Sequence, residues 1–555
     1  MKKIYLDIME KSLSAYSIGR IRDYMDEVKR NGLKEHGFPR LGANIGILLG
    51  YGRCQEMKDI FIEIMDICCN EMPRCKAAND FSIREVCCCL MLLKGKNVVS
   101  EEKLKEWIGK IANFDPWNFY TAVPNDKGQF IGNWALFAAV SDYIRGICCG
   151  IDTSEFVDWQ LPSQIANLDC NDMYQDEPPI CNHMVYDIMP RLLMTFLISA
   201  GYNGKYAKRI EQALDRTVDI TLKMQSVTGE LAFGGRSNQF LNNTAMLISY
   251  FEIEAVRFAK KGDMNKAGEL RAAAVLAIKN LYDDLSLNPI SHIKNRYDIS
   301  TKIGCEVYGY FNKYMITVAS NIYMGLFFLD ETIKATELLN KNKPYIISTS
   351  DNFHKTFVNA GGYMLEFDTK ADFHYDANGL GRVHKNDCNS KICLSVPFSP
   401  NPHYTLEGSN ALPMSICCFV KDGDKTILGA EAYAEYTLVD SACSNDNASV
   451  TFDCKLSDDI TVTEEYTVNK RGVDIKLTGA ENIGLMIPVF DFDGNENTET
   501  IIEEKSISVR YDNTLCKYTF DGVISKDFKY FYNRNGRYKV FEMLGNSVHI
   551  DITNG

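Results

Sequence analysis

Residues 314–348 read YMITVASNIYMGLFFLDETIKATELLNKNKPYIIS, and this stretch contains the change of pattern that decides the fold. Up to about residue 340, apolar side chains recur at helical spacing. Lys343-Pro344 then interrupts the pattern, because proline lacks a backbone donor and clashes with the preceding helical turn. Residues 345–348 are aromatic and β-branched, as is typical of a strand. The stretch therefore predicts a boundary between a helical domain and a β domain.

Towards the N-terminus the helical spacing continues. Consecutive helices with few strands indicate stacked helical hairpins, arranged either as a closed toroid or as an open solenoid. The absence of a strict sequence repeat favours a divergent toroid. The predicted helices span residues 10–31, 56–70, 81–93, 101–113, 133–149, 184–200, 205–225, 239–261, 265–284 and 314–340.

Towards the C-terminus the period of the apolar pattern changes to two. Runs bounded by Gly, Asn or Asp occur at residues 345–348, 362–367, 392–396 and 460–468. About a dozen such runs predict a large antiparallel sandwich. The predicted fold class is α+β multidomain, with an N-terminal (α/α) toroid at residues 1–342 and a C-terminal antiparallel β-sandwich at residues 343–555.

Composition narrows the classes of function. The 555 residues exceed what one hydrophobic core supports. A net charge of −13 argues against nucleic acid as a partner, because phosphate contacts need clustered cations, but it permits an anionic substrate. No apolar stretch reaches the ~18 residues of a membrane span, so no membrane partner is expected. The N-terminus lacks the apolar core of a signal peptide, so we expect a cytoplasmic protein unless such a peptide was removed.

The 19 cysteines are predicted to be free thiols, most of them buried, in a reducing compartment. No C-x-x-C pair is present, which disfavours a zinc ribbon or a thioredoxin-like site. Residues 491–497 lack the spacing of an EF-hand and are predicted to form an acidic hairpin turn. We expect no cofactor and no catalytic metal, and the sequence leaves a structural divalent metal open.

Four stretches combine polar, aromatic and glycine residues, and the first contains Trp117, Asn133 and Trp134. All four tryptophans of the chain lie between residues 107 and 159. Indole faces stack on the C–H faces of sugars, so this stretch is either a sugar platform or tryptophan packing between helices. Asn133 either contacts a ligand or caps the following helix.

The second stretch, residues 172–191, runs through a stiff double proline into a helix. Tyr174 lies in the loop, and Asn182 precedes the helix. On a helix, His183, Tyr186 and Asp187 share one face, three and four residues apart. The stretch is either a catalytic helix start or a capped helix with a buried His–Asp hydrogen bond.

The third stretch, residues 229–243, contains Gly234-Gly235, which lets the backbone approach a ligand or adopt a positive φ. Arg236 offers a planar fork suited to a carboxylate. The alternative is a structural turn. The predicted hydroxyl-binding side chains are Ser237, Asn238, Gln239 and Asn242.

The fourth stretch opens the β domain, where four of the eight histidines lie between residues 354 and 403. Histidine is the commonest acid–base side chain, so an acid–base or ligand-binding site is predicted. A metal site is the alternative, although the spacing matches no known motif. The candidate residues are His374, Tyr375, Arg382, His384 and His403.

In their order along the chain, these stretches resemble the heparinase II/III-type polysaccharide lyases. The resemblance rests on Gly132-Asn133-Trp134, on Asn182-His183 with Tyr186, and on the Gly-Gly-Arg-Ser-Asn-Gln-Phe segment at residues 234–240. It extends over nearly the whole chain and implies the same order of toroid and sandwich. It also implies cleavage of a uronic-acid glycan by β-elimination. Many relatives carry a secretion signal, so a cytoplasmic member would act on imported oligosaccharides, from their ends.

The resemblance implies roles for particular residues. Asn182 or Asn133 would neutralise the uronate carboxylate, and His183 would act as base or neutraliser. Tyr186 or Tyr174 would be the acid, and Arg236 would hold the uronate. The implied catalytic set is His183, Tyr186, Asn182, Tyr174, Arg236 and His384. The implied substrate-binding set is Asn133, Trp134, Trp117, Ser237, Asn238, Gln239, His374, Tyr375, Arg382 and His403.

Two other functions fit the sequence. A glycoside hydrolase on the same architecture would use two carboxylates that flank the scissile bond. A non-catalytic carbohydrate-binding protein is the second alternative, and the many titratable groups disfavour it. Under each hypothesis the partner is a carbohydrate, and no oligomeric state is predicted. The carboxylates available to the glycoside hydrolase would be Asp172, Asp176, Glu177, Asp187 and Glu230.

Overall fold

A computed structural model describes residues 1–176, 183–338 and 343–554. The N-terminal part is helical. Its helices are α1 (Lys2–Ser14), α2 (Ile18–Asn31), α3 (Gly37–Gly50), α4 (Lys58–Glu71), α5 (Asn79–Leu93), α6 (Glu101–Ala112), α7 (Pro116–Phe119), α8 (Trp134–Cys149), α9 (Ser154–Ala166), α10 (Met184–Ser199), α11 (Ala207–Met224), α12 (Leu241–Lys260), α13 (Met264–Asp284) and α14 (Phe311–Phe328).

Six of these helices form a closed inner ring. In the order α3, α5, α8, α10, α12 and α14, each packs on the next, and α14 packs back on α3. Helices α1, α4, α6, α9, α11 and α13 lie outside and contact this ring. The inner helices are apolar on most sides, and in α12 every residue from Leu241 to Arg257 is buried. The predicted toroid is therefore confirmed, and the open solenoid is excluded by the contact that closes the ring.

Some predicted helices differ from the observed ones. The segment 10–31 is two helices, and the segment 314–340 ends at Phe328. Helices α3 and α9 were not predicted. Helix α3 contains Pro39 and four glycines, which are poor helix formers, and α9 contains Pro162 and has little amphipathic character. Both segments therefore contain residues that are typical of loops rather than of helix interiors.

The C-terminal part contains antiparallel sheets. Its strands are β1 (Tyr345–Ser348), β2 (Lys355–Ala360), β3 (Tyr363–Asp368), β4 (Gly379–Lys385), β5 (Cys418–Asp422), β6 (Lys425–Leu428), β7 (Glu435–Cys443), β8 (Ala448–Lys455), β9 (Thr461–Asn469), β10 (Gly472–Thr478), β11 (Ile483–Phe492), β12 (Glu499–Ile502), β13 (Ser506–Tyr511), β14 (Thr514–Phe520), β15 (Val523–Asn533), β16 (Gly536–Leu544) and β17 (Ser547–Asn554).

The strands form three sheets. Their orders are β1-β2-β3-β4, then β12-β13-β14-β17-β10-β9-β8-β7, and β15-β16-β11-β5-β6. Side chains of all three sheets share one hydrophobic core, which confirms the predicted sandwich. The predicted strand at 392–396 is wrong, because these residues form an irregular buried segment. The ring ends with α14 and the first strand begins at Tyr345, and the boundary at 342/343 stays a prediction.

The ring and the sandwich are joined by side chains from both. A small apolar cluster contains Met184 and Met224 from the ring and Phe357 and Met364 from the sandwich. The ammonium of Lys355 lies 3.6 Å from the centre of the Phe233 ring. These contacts fix the loop before α12 against the sheet β1-β2-β3-β4.

Two further predictions concern the whole chain. The cysteines within the described ranges are free thiols, and most of them are buried. Across the same ranges, no helix has both the length and the apolarity that a bilayer crossing needs.

Candidate active site at the rim of the ring

The inner helices all begin at the same face of the ring, because an outer helix returns the chain after each of them. Residues just before these helices or in their first turns touch one another around this rim. The N-terminus of each inner helix adds partial positive charge there. The touching pairs are His36 with Phe81, Phe81 with Trp134, Asn133 with Asp176, His183 with Gly235, and Phe240 with Tyr314.

His183 is the residue immediately before α10 and lies at the junction of ring and sandwich. Its ring centroid is 6.1 Å from that of Tyr186 and 5.7 Å from that of Tyr375, which belongs to the sandwich. Its Nε2 atom is 3.8 Å from Oδ2 of Asp372, also from the sandwich. One imidazole is thus flanked by two phenols and faces a carboxylate.

The Tyr186 hydroxyl belongs to a chain of hydroxyl groups. It lies 3.2 Å from Oγ of Ser237, which in turn lies 2.8 Å from the Tyr308 hydroxyl. The Ser237 backbone N–H donates to Oε1 of Glu306 at 2.6 Å. A proton on any of the three hydroxyls can therefore pass along the chain by rotation of neighbouring O–H groups.

Arg236 lies on the other side of Tyr186. The guanidinium carbon is 4.3 Å from the centre of the Tyr186 ring, and Nη2 donates to Oδ2 of Asp176 at 3.0 Å. The other Asp176 oxygen accepts from the Asn133 backbone and side chain, at 2.8 and 2.7 Å. Asp176 thus connects the start of α8 to Arg236, whose side chain is 24% exposed.

The loop before α12 adopts an unusual backbone that presents these groups. Gly235 has a φ of +70°, and a Cβ there would lie 2.7 Å from Cδ2 of His183. Ser237 and Gln239 also have positive φ values, of 61° and 66°. Non-glycine residues in this region are strained, and such strain is typical of functional sites. The Gly235 N–H donates to the buried Asp376 at 2.7 Å, which attaches the loop to the sandwich.

The sandwich contributes a second wall. His374 and His403 stack with centroids 3.9 Å apart, and His403 meets Tyr375 edge-on at 5.7 Å. Asp372 accepts from the His374 backbone N–H at 3.0 Å. Since His374 and His403 are exposed, their imidazoles are accessible to a ligand at the rim.

Burial and charge set the protonation of the site. Burial raises the pKa of Tyr186, although Arg236 partly opposes it, so the phenol stays protonated at neutral pH. Burial acts to raise the pKa of Asp372, but the imidazoles of His183 and His374 lower it to about 2. Burial raises the pKa of Asp376 to about 6. The site therefore holds a neutral phenol beside an ionised carboxylate.

Tyr174 does not join this group. It is buried, and its hydroxyl donates to Gln164 at 2.7 Å and accepts from Asn167 at 3.0 Å. Because its phenol is buried and already hydrogen-bonded inside the ring, the structure argues against the predicted role of Tyr174 as the acid. Asn182, the predicted neutraliser, lies outside the described residues.

His384 and Arg382 lie on β4, inside the protein rather than at the rim. His384 is buried, with Nδ1 2.6 Å from Ser226 Oγ and Nε2 2.7 Å from Ser395 Oγ. The Arg382 side chain is buried, donates to the Leu231 carbonyl at 2.8 Å and is paired with Glu366 at 3.2 Å. These contacts join the two domains, and they argue against the predicted catalytic and substrate-binding roles.

The remaining predicted binding residues lie in different places, and only some of them are exposed at the rim. Trp134 is 40% exposed at the rim and packs edge-on against Phe81 at 4.7 Å. Trp117 is also exposed, but it contacts Trp159 and Phe156 of the outer helix α9. Asn238, Gln239 and Asn242 are buried within the loop before α12 and at the start of that helix.

Of the five carboxylates proposed for a hydrolase, Asp176 is paired with Arg236 at the rim, and three others are held in separate ion pairs. Asp172 binds Arg209 and Arg216, and Asp187 binds Arg191 within α10. Glu230 is paired with Lys294 at 2.6 Å. Each of the three is buried. Glu177 lies outside the described residues.

Four residues of the site were not predicted from the sequence: Asp372, Tyr308, Glu306 and Arg534. Arg534 lies in the turn between β15 and β16 and donates to Glu306 at 2.6 Å and to the Gly304 carbonyl at 2.7 Å. No local motif marks these residues, because each reaches the site through the tertiary fold. Only the Asp-x-His spacing of Asp372 and His374 could have indicated one of them.

Across the described ranges, no group of three or more His, Cys, Asp or Glu side chains is arranged to hold a metal ion.

Comparison with known proteins gives structural likenesses only. No protein-family profile matches the chain, and no curated protein matches it. A mutant heparan sulfate lyase, HepC, from Pedobacter heparinus is 9% identical, with 94% of this chain and 76% of that chain covered and a TM-score of 0.46. Heparinase III is 10% identical, with coverage of 99% and 92% and a TM-score of 0.40.

A GH127 β-L-arabinofuranosidase from Geobacillus stearothermophilus T6 is 10% identical, with coverage of 100% and 98% and a TM-score of 0.36. These proteins include both lyases and a glycosidase. At TM-scores below 0.5 the likenesses carry no argument about activity, and the architecture rests on the packing described above.

Proposed function

We propose that this protein is a carbohydrate-active enzyme that cleaves a uronic-acid-containing glycan by β-elimination. The observation that carries the proposal is the meeting of His183, Tyr186 and Arg236 at one rim. His183 and Tyr186 lie 6.1 Å apart between ring centroids, and the Arg236 guanidinium lies on the Tyr186 ring. An imidazole, a phenol and a guanidinium are the groups that this elimination needs.

In the proposed reaction, Arg236 neutralises the uronate carboxylate, which makes the neighbouring C5 proton acidic. The site favours that charge further, because the starts of the inner helices surround it. Arg236 is paired with Asp176 at 3.0 Å, and its side chain is 24% exposed, so that a substrate can approach it at the rim.

His183 takes the C5 proton as the base. The electrons of the C–H bond form the C4–C5 double bond, and the bond from C4 to the leaving oxygen breaks. Asp372, at 3.8 Å, stabilises the imidazolium that forms. The raised pKa of Tyr186 keeps the phenol protonated until it donates to the leaving O4. The hydroxyls of Ser237 and Tyr308 continue the chain from that phenol, and through them a proton can return to Tyr186.

The alternative of a glycoside hydrolase has less support. It needs two carboxylates free to act on opposite sides of one bond. Asp172, Asp187 and Glu230 are each buried in an ion pair, and Asp176 binds Asn133 and Arg236. The proposed substrate is a carbohydrate, and the proposed reaction uses no cofactor. We propose that the enzyme acts in the cytoplasm, from the ends of imported oligosaccharides.

The test is a screen of uronate oligosaccharides followed by ultraviolet absorbance. The unsaturated uronate product absorbs in the near ultraviolet, whereas a hydrolysis product does not. Oligosaccharides of glycosaminoglycan, alginate, pectic and rhamnose-glucuronate types cover the substrate class. His183→Ala should lower kcat on an active substrate by roughly 10²–10⁴-fold.

His549→Ala is the matched control, because His549 lies on β17, outside the rim, where it contacts Asp474 of β10 at 2.8 Å. New reducing ends without ultraviolet absorbance would indicate a hydrolase instead. If His183→Ala binds an oligosaccharide tightly and the unaltered protein cleaves none of the substrates, the result would support a binding protein.

A further inference from the structure

A second cavity, here called the rear cavity, lies between α13, the segment 387–391 and the turn from β13 to β14. Its volume is about 740 Å³, within the range of small-ligand pockets. None of its lining residues belongs to the rim around His183. Both the helical ring and the sandwich contribute to its wall, so it is a second candidate site between the domains.

Lys391 is the first unusual group of the rear cavity. The residue is only 5% exposed, and its backbone N–H donates to Asn389 at 3.0 Å. Among the described residues, no hydrogen bond from its ammonium group is present. Burial lowers the pKa of Lys391, although the nearby Asp284 opposes the shift. A buried ammonium that lines a cavity without a hydrogen bond is open to an acceptor from a ligand.

Asp284 shows the same deficit from the ring side. It lines the cavity, and within the described part of the chain its Oδ2 atom is buried and has no hydrogen-bond partner. Arg296 also lines the cavity, but its guanidinium is already bound by Asp493 at 3.4 Å and by Glu496 at 3.1 Å. Buried polar atoms are almost always hydrogen-bonded in folded proteins, to protein, water or ligand. The ammonium of Lys391 and the carboxylate of Asp284 on one cavity wall therefore indicate that a polar molecule completes their hydrogen bonding.

The chemistry of the lining limits what that molecule is. It must accept from Lys391 and donate to Asp284, and hydroxyl groups do both. Asn280, Asn389 and other amides supply further donor–acceptor pairs around the wall. Carboxylates outnumber cations along the lining, which repels an anion. We propose that the rear cavity binds a neutral sugar of one or two rings, separately from the uronate site at the rim.

The experiment is isothermal titration calorimetry of the full chain with lactose, cellobiose and N-acetylglucosamine, and with glucuronate as the charged comparison. One neutral sugar should bind at a single site. Asp284→Ala and Lys391→Met should each raise its Kd at least tenfold. His183→Ala should leave the Kd unchanged, and so should Lys260→Met, a control at an exposed position of α12.

Hydrogen exchange of the unaltered protein gives a readout that does not depend on the variants folding. Binding should slow exchange at residues 387–391 and 511–514. The proposal is overturned if none of the neutral sugars binds, if binding survives both cavity variants, or if it disappears in His183→Ala. It is overturned as well if glucuronate binds there more tightly than the neutral sugars.

Discussion

At the scale of the residue, the rim depends on charges that burial and neighbours hold in one protonation state. The resemblance to the lyases implied one site for His183, Tyr186 and Arg236. Sequence reasoning itself supplied a shared helix face for the first two and a glycine pair before the third. It did not find Asp372, whose carboxylate reaches His183 from another domain. Side chains that act through a local motif could be predicted, and those that act through tertiary contact could not.

Glu366 is a buried group whose protonation should affect stability. It accepts from the Phe233 backbone N–H at 3.1 Å, across the domain junction. Burial raises its pKa from the model-peptide value of 4.5 to about 7, although Arg382 opposes the shift. Between those pH values the folded protein keeps a proton that the unfolded chain has released. The free energy of unfolding should therefore fall as pH rises from 4.5 to about 7.

Replacement by a neutral amide should remove this dependence. From pH 5 to pH 8, the free energy of unfolding of Glu366→Gln should rise by roughly 1–3 kcal/mol relative to that of the unaltered protein. Urea unfolding at several pH values measures it. Glu542→Gln, at a partly exposed position of β16, is the control. A difference that stays constant with pH would contradict the assignment.

At the scale of the element, the sequence predicted most helices of the ring to within a few residues. It missed α3 and α9, because four glycines and Pro39 interrupt the helical pattern of the first and Pro162 interrupts that of the second. It placed a strand at 392–396, where apolar residues are buried without a sheet partner. Burial alone therefore produced the same pattern as a strand.

The loop at residues 234–240 is the element on which the rim depends, and Gly235 tests it. Ala at this position would carry the strain of a positive φ, about 1–2 kcal/mol. Its Cβ would also lie 2.7 Å from Cδ2 and 2.9 Å from Cα of His183. We therefore expect Gly235→Ala to lower stability by more than that amount, because His183 must also shift, and to lower kcat at least tenfold, by displacing the imidazole.

Gly262→Ala separates the two effects. Gly262 has a φ of +86°, and nothing lies within 4 Å of the Cβ it would gain. Urea unfolding should show the φ strain alone for Gly262→Ala and a larger loss for Gly235→Ala, and the ultraviolet assay should show an activity loss for Gly235→Ala alone. Equal activity in the two variants would show that Gly235 does not position His183.

At the scale of the whole molecule, the site exists only where the ring and the sandwich meet. Composition and periodicity predicted both domains, and they did not predict the contacts that hold one against the other. Arg534 is the clearest of these contacts, since its buried side chain pairs with the buried Glu306. Glu306 in turn accepts from the backbone of Ser237, next to Arg236.

Loss of Arg534 should therefore affect both stability and activity. In Arg534→Met, Glu306 would be left buried without its cation, at a cost of about 3–5 kcal/mol. We expect differential scanning calorimetry to show earlier unfolding, split into separate transitions of ring and sandwich. We also expect a lower kcat, because Ser237 loses its support. Arg510→Met, at an exposed position of β13, is the control. Unfolding unchanged from the control would exclude Arg534 as a connection between the domains.

The contact of α14 with α3 has a consequence for how such a chain can evolve. A linear stack of hairpins grows or shrinks by one unit and merely moves its end caps. A ring without ends has no cap to move, so deletion of one hairpin exposes apolar flanks on both of its former neighbours. Diversity in a family built this way should therefore accumulate in the connections that precede the inner helices, while the number of hairpins stays fixed.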